Sequence, residues 1–368
     1  MNTRKITTIQ ATAILISTII GVGVLPLPLF AVQEGGTGAP LVTFLGLALG
    51  AIGLVILTHL GIRHPQKTII TYNEDIIGKW LGRFCSLFVI LFFFILTGLA
   101  AREFGEVVVA GVLQETPLEV TVIVMLLLAC ISCRNNINVF SYIHNFYLPI
   151  ILAPVLIVVA LSLKNANLLY IRPIIGTNVT HMFLGALTIS ALFQGSFIVT
   201  MIIPSMKNPN KAMKSSLWGI SISGGLYLLL VIATVSVFGT EEMKQILWPT
   251  LELARTTAVP GNVLQRLDVI FLAVWVTAVF TTLFSSYFFT IYSIKQLLHI
   301  QDHKMLSYFL FPFIFILAML PQNIFQMYEF IKFVGRAGLL ITILYPGLLL
   351  MIDFLKNRRL KGSASQQT

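Results

Sequence analysis

The sequence predicts an all-α polytopic membrane protein: ten transmembrane helices arranged as a 5+5 inverted repeat, with helices one and six broken at their middles. Three observations carry that expectation. Of 368 residues, 57% are hydrophobic and only 10% are charged, against about 25% charged in soluble domains. Apolar runs of roughly the ~20 residues that cross a bilayer recur along the chain. The first of them is interrupted by Ile20-Gly21-Val22-Gly23-Val24-Leu25-Pro26-Leu27-Pro28.

The apolar runs fall near residues 9–32, 39–61, 82–111, 117–133, 142–163, 182–204, 216–239, 267–295, 305–320 and 334–354. The first run is too long for a cleavable leader and continues into a glycine-rich loop, so it is expected to stay in the membrane. With the N-terminus inside, the inner connections collect 16 of the 24 basic residues, as the positive-inside rule requires. An even number of spans returns the C-terminus to the same side. The net charge of +10 therefore reports orientation; the basic residues form no aromatic-interleaved stripe, which argues against nucleic acid. Residues 1–354 read as one transmembrane domain, with halves of about 1–165 and 180–354, and 355–368 as a basic cytoplasmic tail, partly disordered from Gly362. The longest polar connection, about 240–266, contains Trp248-Pro249 and Pro260-Gly261 and is placed outside, where it could cover a mouth.

A spanning helix is opened mainly where its backbone lines a protein cavity, because lipid cannot satisfy freed N–H and C=O groups. Pro26 and Pro28 suit the first turn of a second half-helix, where a missing N–H matters little. The amides of Gly23, Val24 and Leu25 would then stand at the positive end of a helix dipole, suited to a carboxylate. Span six carries Ser190-Ala191-Leu192-Phe193-Gln194-Gly195-Ser196 in the corresponding place. Five helices per half invert the second half relative to the first, and paired breaks mark a midplane site. Span eight adds the hydroxyls of Thr281, Thr282, Ser285 and Ser286, which either reach a ligand or bond their own helix carbonyls. Gly46, Gly50, Gly53, Gly224 and Gly225 read as close-packing positions.

Enzyme chemistry finds no support. The six histidines are scattered without an HExxH-type spacing, and His299 and His303, four apart, read as surface residues of a short inner loop. Cys130-Ile-Ser-Cys133 has the spacing of a redox or metal pair but no histidine partners, so small apolar packing is expected. No metal and no cofactor is expected. The fourteen acidic residues are placed at the two sides, except Glu103 and Glu106 toward the outer end of span three. There, Arg102 and Glu106 are spaced to pair along one helical turn.

Several stretches carry a family resemblance: Gln194-Gly195, Met201-Ile202-Ile203-Pro204-Ser205-Met206-Lys207-Asn208-Pro209-Asn210-Lys211-Ala212, Leu247-Trp248-Pro249-Thr250-Leu251-Glu252-Leu253-Ala254-Arg255, Gln265-Arg266-Leu267-Asp268, Ile77-Gly78-Lys79-Trp80-Leu81-Gly82 and the first-span break. Over nearly the whole chain, from Thr8 to about Asp353, the sequence resembles the B subunits of endospore nutrient germinant receptors. The resemblance implies a permease of the amino acid, polyamine and organocation superfamily (APC/LeuT-like). It also implies a place in the spore inner membrane, and assembly with a germinant receptor A subunit and a lipoprotein C subunit. Carried over by position, its pocket residues are Gly21, Gly23 and Val24, then Phe193, Gln194 and Gly195, then Thr281 and Ser285; Leu25 joins them as an amide donor. Relatives often have an acidic residue where this chain has Gln194.

The functional expectation is a sensor that binds a small amino acid or similar nutrient at midplane and triggers germination. The carboxylate is expected on the amides of residues 23–25 and the ammonium on carbonyls or Gln194. An amino-acid transporter, facilitative or cation-coupled, is the alternative. Acidic residues are absent from the interior in this placement, which favours sensing over ion-coupled pumping.

Overall fold

The computed structural model of the chain describes residues 5–173, 179–257 and 267–364. The stretches Pro260-Gly261 and Gln265-Arg266 and residues 365–368 lie outside the described residues. Everything described is helix, turn or loop, apart from one isolated bridge in which Ile6 pairs in parallel with Met206.

The first helix, α1 (Thr8–Ile19), opens on a capping box: Thr7 accepts from the Gln10 amide, and the Gln10 side chain accepts from the Thr7 amide. Two of the first-turn donors orphaned by helix geometry are thereby satisfied. The helix stops before Ile20, and a single 3₁₀ turn at Val22–Val24 leads to α2 (Leu27–Gly35), with Pro26 as its N-cap and Pro28 in its first turn. Then follow α3 (Ala39–Arg63), a short α4 (Ile69–Ile77), the long α5 (Lys79–Gly111), α6 (Leu118–Ser132) and α7 (Ile137–Ser162). In the second half, α8 (Val179–Ala191) runs through a 3₁₀ stretch at Gln194–Ile198 into α9 (Val199–Ile202), with a bend of 41° between the two arms. The chain ends with α10 (Ala212–Met243), α11 (Pro249–Thr256), α12 (Leu267–Leu297), α13 (Lys304–Ala318), α14 (Ile324–Leu339) and α15 (Tyr345–Ala364), the last two joined by a π turn at Leu340–Leu344.

Among the described residues, six helical stretches are long and apolar enough to cross a membrane, or seven with the bent pair counted as one. Thr8–Ile19, Leu118–Ser132 and Lys304–Ala318 are apolar but shorter. The expected ten crossings thus exceed those that length and composition single out, because α1 is cut at Ile20 and two other apolar helices fall below ~20 residues. The tail expected from Gly362 falls on the end of α15 and beyond the described residues.

The two interrupted segments form the centre. Helix α1 packs against α7, α10 and α12, while α8 packs against α2, α3 and α14. They are clipped at one end, where the amides of Lys5 and Ile6 donate to the Ser205 carbonyl and the Lys207 amide donates to the Ile6 carbonyl. Long apolar side chains face outward along most helices, as lipid contact requires. Glycine lets the core close up: a Cβ on Gly46 would meet Ile189, on Gly50 Phe193, on Gly53 Ile343 and on Gly224 Leu47. Gly225, by contrast, faces open space, contrary to the packing role expected of it.

Candidate functional site

Ending α1 at Ile19 frees the carbonyls of its last turn, which in an apolar surrounding must find donors. They find them on two other helices, α10 and α12. The Ser17 carbonyl accepts from Thr281 (2.8 Å), Thr18 from Thr282 (2.9 Å) and Ile19 from the Tyr227 hydroxyl (2.6 Å). Farther along, the Gly21 carbonyl accepts from the Trp275 indole at 3.3 Å and the Val24 carbonyl from Thr250 at 2.8 Å. The side chains of α10, α11 and α12 thus close the first break with protein donors. Gly21 is required by this closeness, since a Cβ there would stand 1.8 Å from Thr282 Oγ1.

Behind this seam lies a buried polar cluster. His144 on α7 contacts Ser17 Oγ at 2.5 Å and Ser285 Oγ at 3.2 Å, and Ser285 contacts Thr18 Oγ1 at 2.7 Å. Thr281 and Ser285 are therefore brought to α1 as a clasp, and Ser285 also lines a small void that it shares with Thr18, Gly195 and Thr282.

The second break satisfies its own backbone. The amides of Leu192, Phe193 and Ser196 donate to the carbonyls of Ile189, Ser190 and Phe193, each three residues back. Side chains here keep spare capacity. Gln194 is 4% exposed; its Nε2 donates to the Gly335 carbonyl at 2.7 Å, while its Oε1 has no partner. Ser190 Oγ is likewise buried without one.

Between the two breaks, α5 and α14 lies a cavity of about 100 Å³. That is room for several waters or one small organic molecule, since a single water needs roughly 10–15 Å³ on this measure. Of the residues expected from the sequence, Gly23, Gln194 and Gly195 line it, together with Thr18, Thr282 and a mostly apolar wall of Ile19, Val22, Leu96, Leu99, Ala100, Ala191, Leu192 and Ile331. Gly21, Val24, Leu25, Phe193, Thr281 and Ser285 do not. Leu25 is fully buried in the core, and Phe193 packs against Tyr227 and Gly50. The Val24 amide donates to the Gly21 carbonyl at 3.4 Å.

Two charged residues join the lining, Glu103 from α5 and Lys332 from α14. Glu103 is 3% exposed, and its Oε1 has no hydrogen-bond partner. Glu103 stands in the last third of α5, as expected, but it is buried and lines the cavity, which corrects the expectation that no acidic residue faces the interior. Arg102 does pair with Glu106, at 2.7 Å, and two residues one position apart on a helix point about 100° apart, so Glu103 is left to face inward. Its direct neighbour is Tyr328, whose hydroxyl accepts from the Trp248 indole at 2.8 Å and hydrogen-bonds the Glu103 carboxyl. The sequence signal was an acidic residue within a spanning run, a pattern that by default marks function.

At the rim, Lys332 donates to Gln33 at 2.6 Å and lies 5.1 Å over the Phe30 ring. Arg336 pairs with Glu34 at 2.7 Å and donates to Thr188 at 2.9 Å. In the described part of the 240–266 connection, the Trp248 indole donates to Tyr328 and Thr250 packs inward on the Val24 carbonyl of the first break. Elsewhere, Cys130 and Cys133 are buried free thiols. His299 is exposed as expected, but His303 is buried against Tyr292, since the loop folds under α12. Among the described residues no group of three or more His, Cys, Asp or Glu could hold a metal ion.

Comparison with known proteins completes the picture. A family model described as "Spore germination protein" matches residues 5–327. Spore germination protein YndE of Bacillus subtilis (strain 168) is 27% identical over 361 residues, covering 97% of this chain and 98% of that relative. Among solved structures, the nucleobase-cation-symport-1 family transporter Mhp1, in a closed conformation with bromovinylhydantoin bound, superposes with a TM-score of 0.70 at 14% identity, over 97% of this chain and 80% of that one. MhsT in complex with L-phenylalanine gives a TM-score of 0.70 at 11% identity, over 93% of this chain and 87% of that one. At such identities the likeness shows the fold alone, an APC/LeuT-like polytopic helical architecture.

Proposed function

This chain belongs to the family of spore germination proteins, and from that premise we propose that it senses a small nutrient in the cavity between its two interrupted segments. The carrying observation is the cavity itself: a small, mostly apolar void at the meeting of both breaks, with Gln194 and Glu103 in its lining and one oxygen of each buried without a partner. Pockets of this kind, apolar with a few convergent polar groups, are where small ligands bind. The L-phenylalanine bound by MhsT, which shares the fold, supports an amino acid as the nutrient.

In this reading the chain crosses the membrane ten times. The six long stretches, the bent pair and the three shorter apolar helices supply the crossings, α1 and α2 together making the first. Two inverted five-helix halves then place the breaks at midplane and both termini in the cytoplasm, in the spore inner membrane. Binding stabilises one of two arrangements of the halves, and the difference in affinity between them sets how far the balance moves. The basic loop at Lys207, Lys211 and Lys214, tied to the N-terminal segment through the Ile6–Met206 bridge, relays that change to a germinant receptor A subunit and a lipoprotein C subunit. No covalent chemistry is involved.

Gly23→Trp tests the site, because its side chain would displace Leu192 and enter the cavity. Spores carrying the variant should hold the protein in the membrane yet lose the nutrient response; a normal response would remove the cavity from the mechanism. The permease fold also favours a carrier reading, for which accumulation of a labelled amino acid in liposomes under a proton or sodium gradient is the decisive result.

A further inference from the structure

Three voids stand in a row beside the second break. The proposed nutrient cavity is the first, and this inference rests on that reading of it. Next to it, Thr18, Gly195 and Thr282, which also line the cavity, share a void of about 10 Å³ with Phe93, Ile198 and Phe289. The third is the largest, about 320 Å³, and lies at the end of the molecule where the N-terminal segment is clipped to Ser205. Its wall includes Lys67, Thr68, Thr71, Ser205, Tyr292 and Gln296.

The register of two segments strings these voids together. On α12 the lining passes from Thr282 to Ser285 and Phe289, then to Tyr292 and Gln296; along the second break it passes from Gly195 to Ile198 and Met201. Steps of three or four residues keep to one face of a helical segment, so a single face of each borders all three voids. From Thr282 to Gln296, α12 rises about 21 Å at roughly 1.5 Å per residue. That carries it from midplane through half of a hydrocarbon core about 30 Å thick. Packed interiors leave few voids, and three in line along the same two faces outline a passage.

Aromatic rings close it. Phe93 and Phe289 stand 4.4 Å apart between centroids, Phe93 and Phe197 5.3 Å, and Phe197 and Phe289 5.5 Å, and each ring is buried. The three come from α5, the 3₁₀ stretch of the second break and α12, so a shift of any one of these elements parts them. An apolar constriction of this kind stops water and polar solutes by dewetting. Beyond it the wall changes character to hydroxyls and amides, and the Lys67 ammonium is taken up by Asp75 at 2.5 Å. Such a wall suits a polar solute that carries no net charge.

We infer that the chain holds a release route from the nutrient cavity to the face that carries Lys67, for a small polar solute without net charge, with Phe93, Phe197 and Phe289 as its gate. The solute that is sensed can then leave on the far side as well as by the way it entered.

The test reads thiol accessibility in membrane vesicles of both orientations that contain the full chain with Cys85→Ala; Cys130 and Cys133 are buried. The probe is trimethylammonioethyl methanethiosulfonate, a charged reagent that does not cross lipid. Gln296→Cys should react from one face only, which identifies that face. From there Ile198→Cys should react about tenfold more slowly or less, because the gate is shut. Adding Phe289→Ala should raise the Ile198→Cys rate about tenfold or more and leave that of Gln296→Cys unchanged. Phe93→Leu, which keeps most of the bulk, should give a smaller rise and is the second variant where Phe289→Ala is not recovered in the membrane.

An Ile198→Cys chain that reacts as fast as Gln296→Cys without a ring variant overturns the inference. So does protection that survives both ring variants while Gln296→Cys still reacts, and so does a Gln296→Cys chain that reacts from neither face. The nutrient reading has its own readout in the germination response of Gly23→Trp. A lost response beside ring variants that open nothing keeps sensing and removes the route; a normal response beside the expected labelling keeps the passage and removes the nutrient from it.

Discussion

The two interruptions solve one problem in opposite ways. Where α1 stops, the freed carbonyls of Ser17, Thr18 and Ile19 are taken by hydroxyls from α10 and α12. Between α8 and α9, the backbone tightens into 3₁₀ bonding and needs no help, so Gln194 and Ser190 are left with unused oxygens. The first break is therefore a seam that holds three helices together, and the second is the surface that can receive something. A pair of broken helices need not contribute equally to a site; what counts is where the backbone bonds go.

If the first break is a seam, the largest effect should come from Gly21. Gly21→Val drives side-chain atoms into Thr282 and should cost at least about 3 kcal/mol, the upper range for overpacking a core. Loss of monodisperse protein after extraction is the measurement; a well-folded variant would show that the breaks are not so different. Tyr227→Phe removes the donor to the Ile19 carbonyl while keeping the ring, and should lower stability by about 1–3 kcal/mol, the penalty for a buried acceptor left unsatisfied. It is read as a drop in melting temperature with no ligand present. Gln194→Ala sits on the other side of the comparison. It gives up one bond to Gly335 but also an unpartnered carbonyl, so stability should change by less than about 1 kcal/mol, while the nutrient dose for half-maximal germination should rise roughly fivefold, the equivalent of one hydrogen bond. An unchanged dose curve would make Gln194 a packing residue and the second break a seam as well.

Position along the chain and position around a helix were not equally legible. The Gly-Pro-rich stretch at residues 20–28 marked where the first helix had to open, because Gly and Pro act on the backbone locally. The Arg102–Glu106 pair followed from spacing alone. Glu103, between them in sequence, was assigned to the wrong surroundings: its direction depends on how α5 is rotated against α14, and no local pattern in a uniformly apolar helix states that rotation. The hydroxyls of α12 were legible as a patch, but whether they faced a ligand or the α1 carbonyls depended on the approach of helices more than 200 residues apart in the chain.

By itself the sequence determined the solvent of this protein, its helical class, its permease character and the places where the backbone must depart from a helix. These follow from hydropathy and from the backbone limits of Gly and Pro, which act within a few residues. Tertiary structure alone decided which freed carbonyls were closed, which acceptors stayed open, and that Glu103 and Lys332 share a wall with Gln194. Those outcomes depend on the rotation and register of packed helices, set by contacts between residues far apart in the chain.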